Sequence, residues 1–470
     1  MQLPGINERV SYQRLAELNE VLRKASVGYQ TNAVPASDSL SPLVPQSIEN
    51  TLSSATFTAK QIVYWKNLIK TAVGQPVHEY NVIREHGADL DPWMAEGGVP
   101  PLNESTYSRE FVRIKYLAEQ RQVTDVASAT GLIGPDRAAV ARETAAGTVR
   151  LLQKLERALF HANSALTPLA FDGAFTQIEN GAPNNITDLA GKGVTLDLLH
   201  DILADLYGAP NYGEADCIYV EPRVHKDLIK TSVAHGRHDH LMVTDSSKLT
   251  SGIKNLAIMS PYGEVPIKAA PFLFTSWAPS LSAGGGANAP ATPQFGTDTG
   301  TTPPDAASLF LAADAGTYIY KFVAVSDKGF SAPLTSGSIP VAAGDKVTFD
   351  MDDDALKSGA EQIRYYKVYR STKDGAADTC KEIMQLPVNA SGGGSDTQIV
   401  DFNASRRETS KILITNHAQE MQEFARLLDL IRRPLAEVTT AKPFLLMLFG
   451  SLVLKVPEKM WMVKNVGLAA

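Results

Sequence analysis

Cysteine is almost absent: Cys217 and Cys380 are the two present in 470 residues, and they fall in segments that read as different domains. No disulfide framework is available, so any β-rich part has to be held by its hydrophobic core, as suits synthesis in a reducing cytoplasm. Strongly basic stretches are missing and the formal net charge is −7, which argues against tight nucleic-acid binding by phosphate neutralisation. A wall that merely faces DNA stays compatible with that balance. The most apolar run, residues 444–456, is interrupted by Gly450 and Ser451 and falls short of the roughly 20 residues that a membrane span needs. It is expected to be buried strand, with no membrane as partner. Residues 1–26 lack the basic and then apolar regions of a secretion signal and form an amphipathic helical pattern. No GxSxG is found, and the Gly-rich strings SAGGGANAP and NASGGGSDT lack the Lys-Ser/Thr of a phosphate-binding loop.

What is present is an ordinary globular composition, 44% hydrophobic and 20% charged, in a chain long enough for more than one core. Residues 1–46 are a helix followed by a Pro-rich extended arm, and helical spacing resumes over 47–70. Residues 77–83 look like a strand leading to a Gly- and Pro-rich tip. On the return Val112, Ile114 and Tyr116 alternate with Arg113 and Lys115, the period-two pattern of a strand with one covered face. Together they predict a long hairpin over about 75–122. A two-stranded hairpin is marginal alone in water and needs cover from elsewhere. Its tip carries Trp93 and Met94 as apolar anchors beside Arg84, Glu85, Asp89, Asp91 and Glu96, the mixture typical of contact cores. The contact residues expected are therefore Arg84, Trp93, Met94, Glu96, Arg113 and Lys115.

Residues 134–163 predict the longest helix, a rod of roughly 40 Å, with Ala145, Val149, Leu152, Leu155 and Leu159 on one face. Mixed α/β follows to 279. Residues 280–308, dominated by Gly, Ala, Pro and Thr, have the composition of a linker. From 309 to 405 the pattern is all-β, about one sandwich in length. Residues 417–432 then predict a helix with Met421, Phe424, Leu427, Leu428 and Ile431 on one face, and two strands close the chain.

This order of parts resembles the major capsid protein of tailed bacteriophages, the Hong Kong phage shell fold. The pattern is an N-terminal arm, an extended hairpin (the E-loop), a spine helix (134–163), peripheral and axial α/β regions (164–279), and a return over 406–470. The all-β part, through YIYKFVAVSDKGFSAP and YYKVYRSTKDG, resembles an immunoglobulin-like or fibronectin-type-III-like insert. The fold class expected is thus α+β, a capsid fold carrying an inserted all-β immunoglobulin-like sandwich. The resemblance implies a structural, non-enzymatic protein without cofactors, self-assembling as pentamers and hexamers of an icosahedral shell around packaged DNA. It also implies portal, scaffolding and decoration proteins as partners, assembly in the host cytoplasm, a place in the virion capsid, and an insert displayed outward where it meets host surfaces. No N-terminal scaffolding segment is expected to have been removed. Some relatives cross-link an E-loop lysine to an asparagine of another subunit; residues 75–114 contain no lysine, so no such mesh is expected through this tip.

Two other readings compete. HGRHDH, from His235 to His240, approaches the HxHxDH pattern of metal-dependent hydrolases, yet its spacing is wrong and His417 is the only later histidine, so a mobile polar loop fits better. An encapsulin-like compartment, which would recruit cargo enzymes, is the other. The acidic string DMDDDALKSG, at 350–359, lacks the spacing of a calcium loop and is expected to be a solvated turn.

Overall fold

A computed structural model describes residues 58–88, 90, 93–94, 96–99, 102–129, 139–234, 242–245, 248–250, 256–285, 289–352, 362–388, 396–437 and 439–468. The N-terminal arm, the His235 to His240 string and most of the acidic string lie outside them. The architecture is α+β.

Two sheets and one long helix make the body. A four-stranded sheet runs in the order Lys70–Ala72, Gln422–Pro434, Ala441–Leu454 and Lys115–Thr124. The first pair is parallel and the others are antiparallel. A six-stranded mixed sheet has the order Ile186–Asp188, Trp461–Val466, Ser410–Thr415, Cys217–Val220, Gly263–Ala269, Ala257–Ser260. Its central strands are covered on both faces. Tyr219, Leu413 and Met462 face the core that holds Leu155 and Leu159 of the long helix. Ile218, Ile412 and Val463 face the core that holds Leu199 and Leu203 of helix Leu196–Tyr207. Double coverage explains why Cys217–Val220 is buried at every position, with no polar alternation. Helix Leu196–Tyr207 begins where the Thr195 hydroxyl accepts the Leu198 N–H at 3.2 Å, an N-cap.

The long helix is described over Ala139–His161, an Ala- and Leu-rich stretch without proline. Its buried stripe is Gly147, Leu151, Leu155 and Leu159, while Ala145 is exposed and Val149 and Leu152 are half-buried. The expected face is therefore rotated in its first half. Gly147 is the reason: a Cβ there would stand 2.6 Å from Leu446 Cδ1, so the helix packs on the four-stranded sheet without room for a side chain at a residue that a hydrophobicity pattern counts as nothing.

Three further expectations are corrected. Residues 47–70 do not form a helix in their described part: a 3-10 turn, Ala59–Gln61, and a single helical turn, Tyr64–Asn67, precede strand Lys70–Ala72. The turn is set by buried Glu156 of the long helix, whose carboxylate accepts the N–H groups of Val63, Tyr64 and Trp65 at 2.9, 2.7 and 2.9 Å. Residues 417–432 are not a helix either, because strand Gln422–Pro434 pairs with the apolar strand Ala441–Leu454. Register shifts between Arg426 and Leu428 and between Leu428 and Ile431 break the two-residue period, which leaves apolar spacings of three and four that mimic a helix. Within the stretch read as linker, Gln294–Thr301 is an edge strand on Val347–Asp352, with Phe295 stacked on Phe349. An edge strand rich in β-branched threonine needs few large apolar residues.

That strand belongs to a β-rich unit extending to Asp401. A three-stranded and a four-stranded antiparallel sheet share one core, with Phe322, Tyr366 and Val368 from one and Phe349, Met351 and Ile399 from the other. Cys217 and Cys380 are both free and buried.

If Gly147 is the contact point, Gly147→Val should lower the unfolding free energy by about 1–3 kcal/mol through overpacking. Ala145→Val, on the exposed face, should cost about 0.5 kcal/mol from helix propensity. Urea denaturation of both variants checks this; equal losses would return the stripe to Ala145.

Candidate functional site: the hairpin and its root

The hairpin consists of Val77–Glu85 and Thr106–Arg113, paired antiparallel. Residues directly opposed in such a pair share a face. Opposed pairs Val77 with Arg113, Glu79 with Phe111, Asn81 with Arg109 and Ile83 with Tyr107 form the outer face, and all eight are exposed. Phe111 and Tyr107 are 65% and 69% exposed. Opposed pairs His78 with Val112, Tyr80 with Glu110 and Val82 with Ser108 form the inner face, which is half-buried or buried. At the tip Trp93 is 87% and Met94 59% exposed, and Glu96 is exposed in a turn. The tip loop is clasped by one amide: Asn103 Oδ1 accepts the Ala88 N–H at 2.7 Å and its Nδ2 donates to the Ala88 carbonyl at 2.8 Å.

The root is tied to the body by charge. Glu423, nearly inaccessible on strand Gln422–Pro434, accepts from Thr71 Oγ1 at 2.7 Å and lies 3.0 Å from His78 Nε2 and 3.1 Å from Lys455 Nζ. One carboxylate thus joins strand Lys70–Ala72, the first hairpin strand and the closing ribbon. Burial alone would raise the Glu423 carboxyl, but hydrogen bonds from Thr71, Lys455 and His78 outweigh it and hold the carboxyl below its ordinary value. Arg84 bridges Glu458 at 2.8 Å and Glu110 at 3.3 Å, and its Nε donates to Ser108 Oγ at 3.1 Å. Lys115 Nζ donates to the Pro168 carbonyl at 2.6 Å, and the Ile114 N–H to the Pro76 carbonyl at 2.9 Å. Between hairpin and body lies a groove of about 450 Å³ lined by Tyr80, Arg113, Asp172 and Ser451 among others.

The six residues expected to touch a neighbour are therefore not one cluster. Lys115 is engaged within the chain at the root, Arg84 is engaged with Glu458 at the far end of the first hairpin strand, Arg113 is exposed at the groove, and Trp93, Met94 and Glu96 stand at the tip. The hairpin is also shorter than expected. After Ile114 the chain turns into Lys115–Thr124, which pairs with Ala441–Leu454 in the body's own sheet. There the covered face is Lys115, Leu117, Glu119, Arg121 and Val123, whereas Tyr116 is exposed. The alternation expected through Tyr116 fails because the long helix supplies countercharges. Arg121 bonds Glu119 at 2.7 Å and Glu143 at 3.2 Å, and Lys154 meets Glu119 at 3.2 Å. Burial alone would raise Glu119, but hydrogen bonds from Arg121 and Lys154 hold it low. Sequence reasoning missed Glu423 and Glu156; the one available signal was a lone acidic side chain beside apolar neighbours, as in Glu423-Phe424 and Leu155-Glu156.

Among the described residues no group of three or more His, Cys, Asp or Glu side chains is placed to hold a metal ion.

An α+β protein with an exposed two-stranded ribbon is the class these features define. No family model matches the chain. It is similar to the major capsid proteins of Staphylococcus phages K and S25-3, each 22% identical over 436 residues, covering 89% of this chain and 89% of the relative. Among solved structures, the capsid of a native GTA particle matches with a TM-score of 0.46 and 9% identity, covering 92% of this chain and 99% of the other. The chain resembles phage major capsid proteins along most of its length, and a structural capsid role is the function this similarity supports.

Because its folded value is depressed, Glu423 contributes stability that is present above the ordinary carboxyl value of 4.5 and is lost as pH falls through the folded value. Glu423→Ala should cost roughly 1–3 kcal/mol, since it leaves the half-buried Thr71, His78 and Lys455 without their shared acceptor. Arg84→Ala, in a half-exposed ion pair, should cost less than about 1 kcal/mol. Urea unfolding measures both, and protection of the Ile114 amide should fall in acid for the wild type while staying flat with Glu423→Gln.

Proposed function

We propose that the chain is the shell-forming subunit of a tailed-phage head, assembling as hexamers and pentamers through hairpins laid on neighbouring copies. The observation that carries this reading is the outer face of the hairpin: Val77, Ile83, Tyr107 and Phe111 are exposed on a two-stranded ribbon, continuous with the exposed tip. Apolar groups collected on a narrow ribbon mark an interaction surface. Non-closing contacts of one patch with a different patch on the next copy build rings and lattices.

In this reading Trp93 and Met94 anchor the tip, Glu96 and Arg113 supply polar rim contacts, and Arg84 and Lys115 act indirectly, Lys115 by fixing the root and Arg84 by holding the far end of the first strand on the body. The protein has no catalytic role and takes no cofactor. Its partners are other copies of itself, the portal, scaffolding and decoration proteins of the virion, and packaged DNA that the shell faces without reading sequence. The β-rich unit over 294–401 is an immunoglobulin-like insert displayed outward, available to host surfaces. Assembly takes place in the host cytoplasm and the mature location is the virion capsid.

Trp93→Ala should leave the helix content measured by far-ultraviolet circular dichroism unchanged and reduce the yield of closed particles seen by negative-stain microscopy. Uniform small oligomers from the wild-type chain, with stoichiometric zinc, would instead favour the hydrolase reading of the His235 to His240 string.

A further inference from the structure

The β-rich unit leaves the body near Trp277 and returns at Arg406, and polar contacts bind both crossings. At the return, Arg406 donates from both terminal nitrogens to the Asp314 carboxylate at 3.1 and 3.0 Å. Asp314 also accepts from Asn403 Nδ2 at 3.3 Å, and Asn403 Oδ1 accepts from Arg370 at 2.8 Å. Arg370 then reaches Asp401 at 2.7 Å, which takes the Tyr320 hydroxyl at 2.8 Å inside the unit's core. On the body side the Arg406 N–H donates to Asn465 Oδ1 at 3.0 Å, and Asn465 Nδ2 donates to Asp188 at 2.8 Å. The hydrogen bonds form one continuous run from Tyr320 to Asp188.

A second row binds the outgoing crossing. The Glu382 N–H donates to the Trp277 carbonyl at 2.9 Å, and Ser276 Oγ donates to the Glu382 carbonyl at 2.9 Å. The Glu408 N–H donates to Ser276 Oγ at 3.0 Å, which ties the two rows together. Left-handed backbone gathers at the same place, with φ of 62° at Asn403, 58° at Glu408 and 53° at Asn465. Such conformations persist where the surroundings over-determine them. A cleft of about 380 Å³ lined by Asp314, Arg370, Arg406 and Thr409 opens beside the fork, so close apolar packing is not what holds this side of the joint.

Domains joined by small polar interfaces move by default. A bidentate arginine–carboxylate fork differs, because two parallel bonds fix direction as well as distance. We propose that the Asp314–Arg406 fork, with the two hydrogen-bonded rows around it, locks the β-rich unit in one orientation on the body, making it a rigid projection and not a swinging module. The lock is a property of the single chain and does not depend on shell formation.

The test is a spin-label distance measurement on the full chain with Lys226→Cys on the body and Thr335→Cys on the unit, both exposed positions, diluted with unlabelled chain. Cys217 and Cys380 are buried and should stay unlabelled. With the fork intact the distance distribution should be single and narrow; Asp314→Ala with Arg406→Ala should broaden it at least about twofold while the near-ultraviolet signal of the unit's tyrosine-rich core persists. Should that pair of substitutions unfold the unit, Arg406→Lys decides, since it keeps the charge but removes the fork and should broaden the distribution with the core signal intact. A broad distribution with the fork in place, or an unchanged width in a folded variant, would overturn the lock.

Discussion

A ribbon of two strands has two faces, and this protein's body covers one of them. The inner face of the hairpin, with His78, Tyr80, Val82 and Val112, turns toward the body, while Val77, Ile83, Tyr107 and Phe111 on the other face meet water. Contacts at the root, through His78 and Glu423, and near the tip end, through Arg84 and Glu458, hold the inner face on the body and leave the outer face turned to water. The rest of the body reads as support for that posture: the long helix backs the four-stranded sheet, and the sheet carries the root.

The support is organised around buried acids. Glu156 gathers three backbone N–H groups and sets the turn before strand Lys70–Ala72. Glu423 gathers that strand, the hairpin and the closing ribbon. Asp401 gathers Tyr320 and Arg370 within the β-rich unit. A buried carboxylate is costly unless its lone pairs are filled, and filling them from several elements at once fixes those elements relative to each other. Apolar packing supplies cohesion in these cores, and the acids supply register.

Much of this was legible in the sequence because its signals are local. The first hairpin strand, the long helix and the closing strands follow from period and composition. The failures share one cause, partners far away in the chain. Residues 422–434 looked helical because bulges displaced their apolar positions, and 294–301 looked like linker because an edge strand borrows its core from Phe349. Residues 115–122 read as hairpin because nothing nearby announces that Ala441–Leu454 will pair with them, or that Glu143 and Lys154 will neutralise their covered face. At the candidate site the exposed tip residues Trp93 and Met94 were readable, whereas the clamp at Glu423 needed the fold, since its three partners are contributed by three different segments.

The central claim is that the outer face of the hairpin finds its cover on another copy of the chain. Hydroxyl-radical footprinting of Tyr107, Phe111 and Trp93 in dissociated protein and in assembled particles tests it most directly. The account predicts rapid modification of all three in the dissociated chain and clear protection of them on assembly, with an exposed body residue such as Tyr212 unchanged as reference. Equal modification of the three aromatics in both states would contradict it.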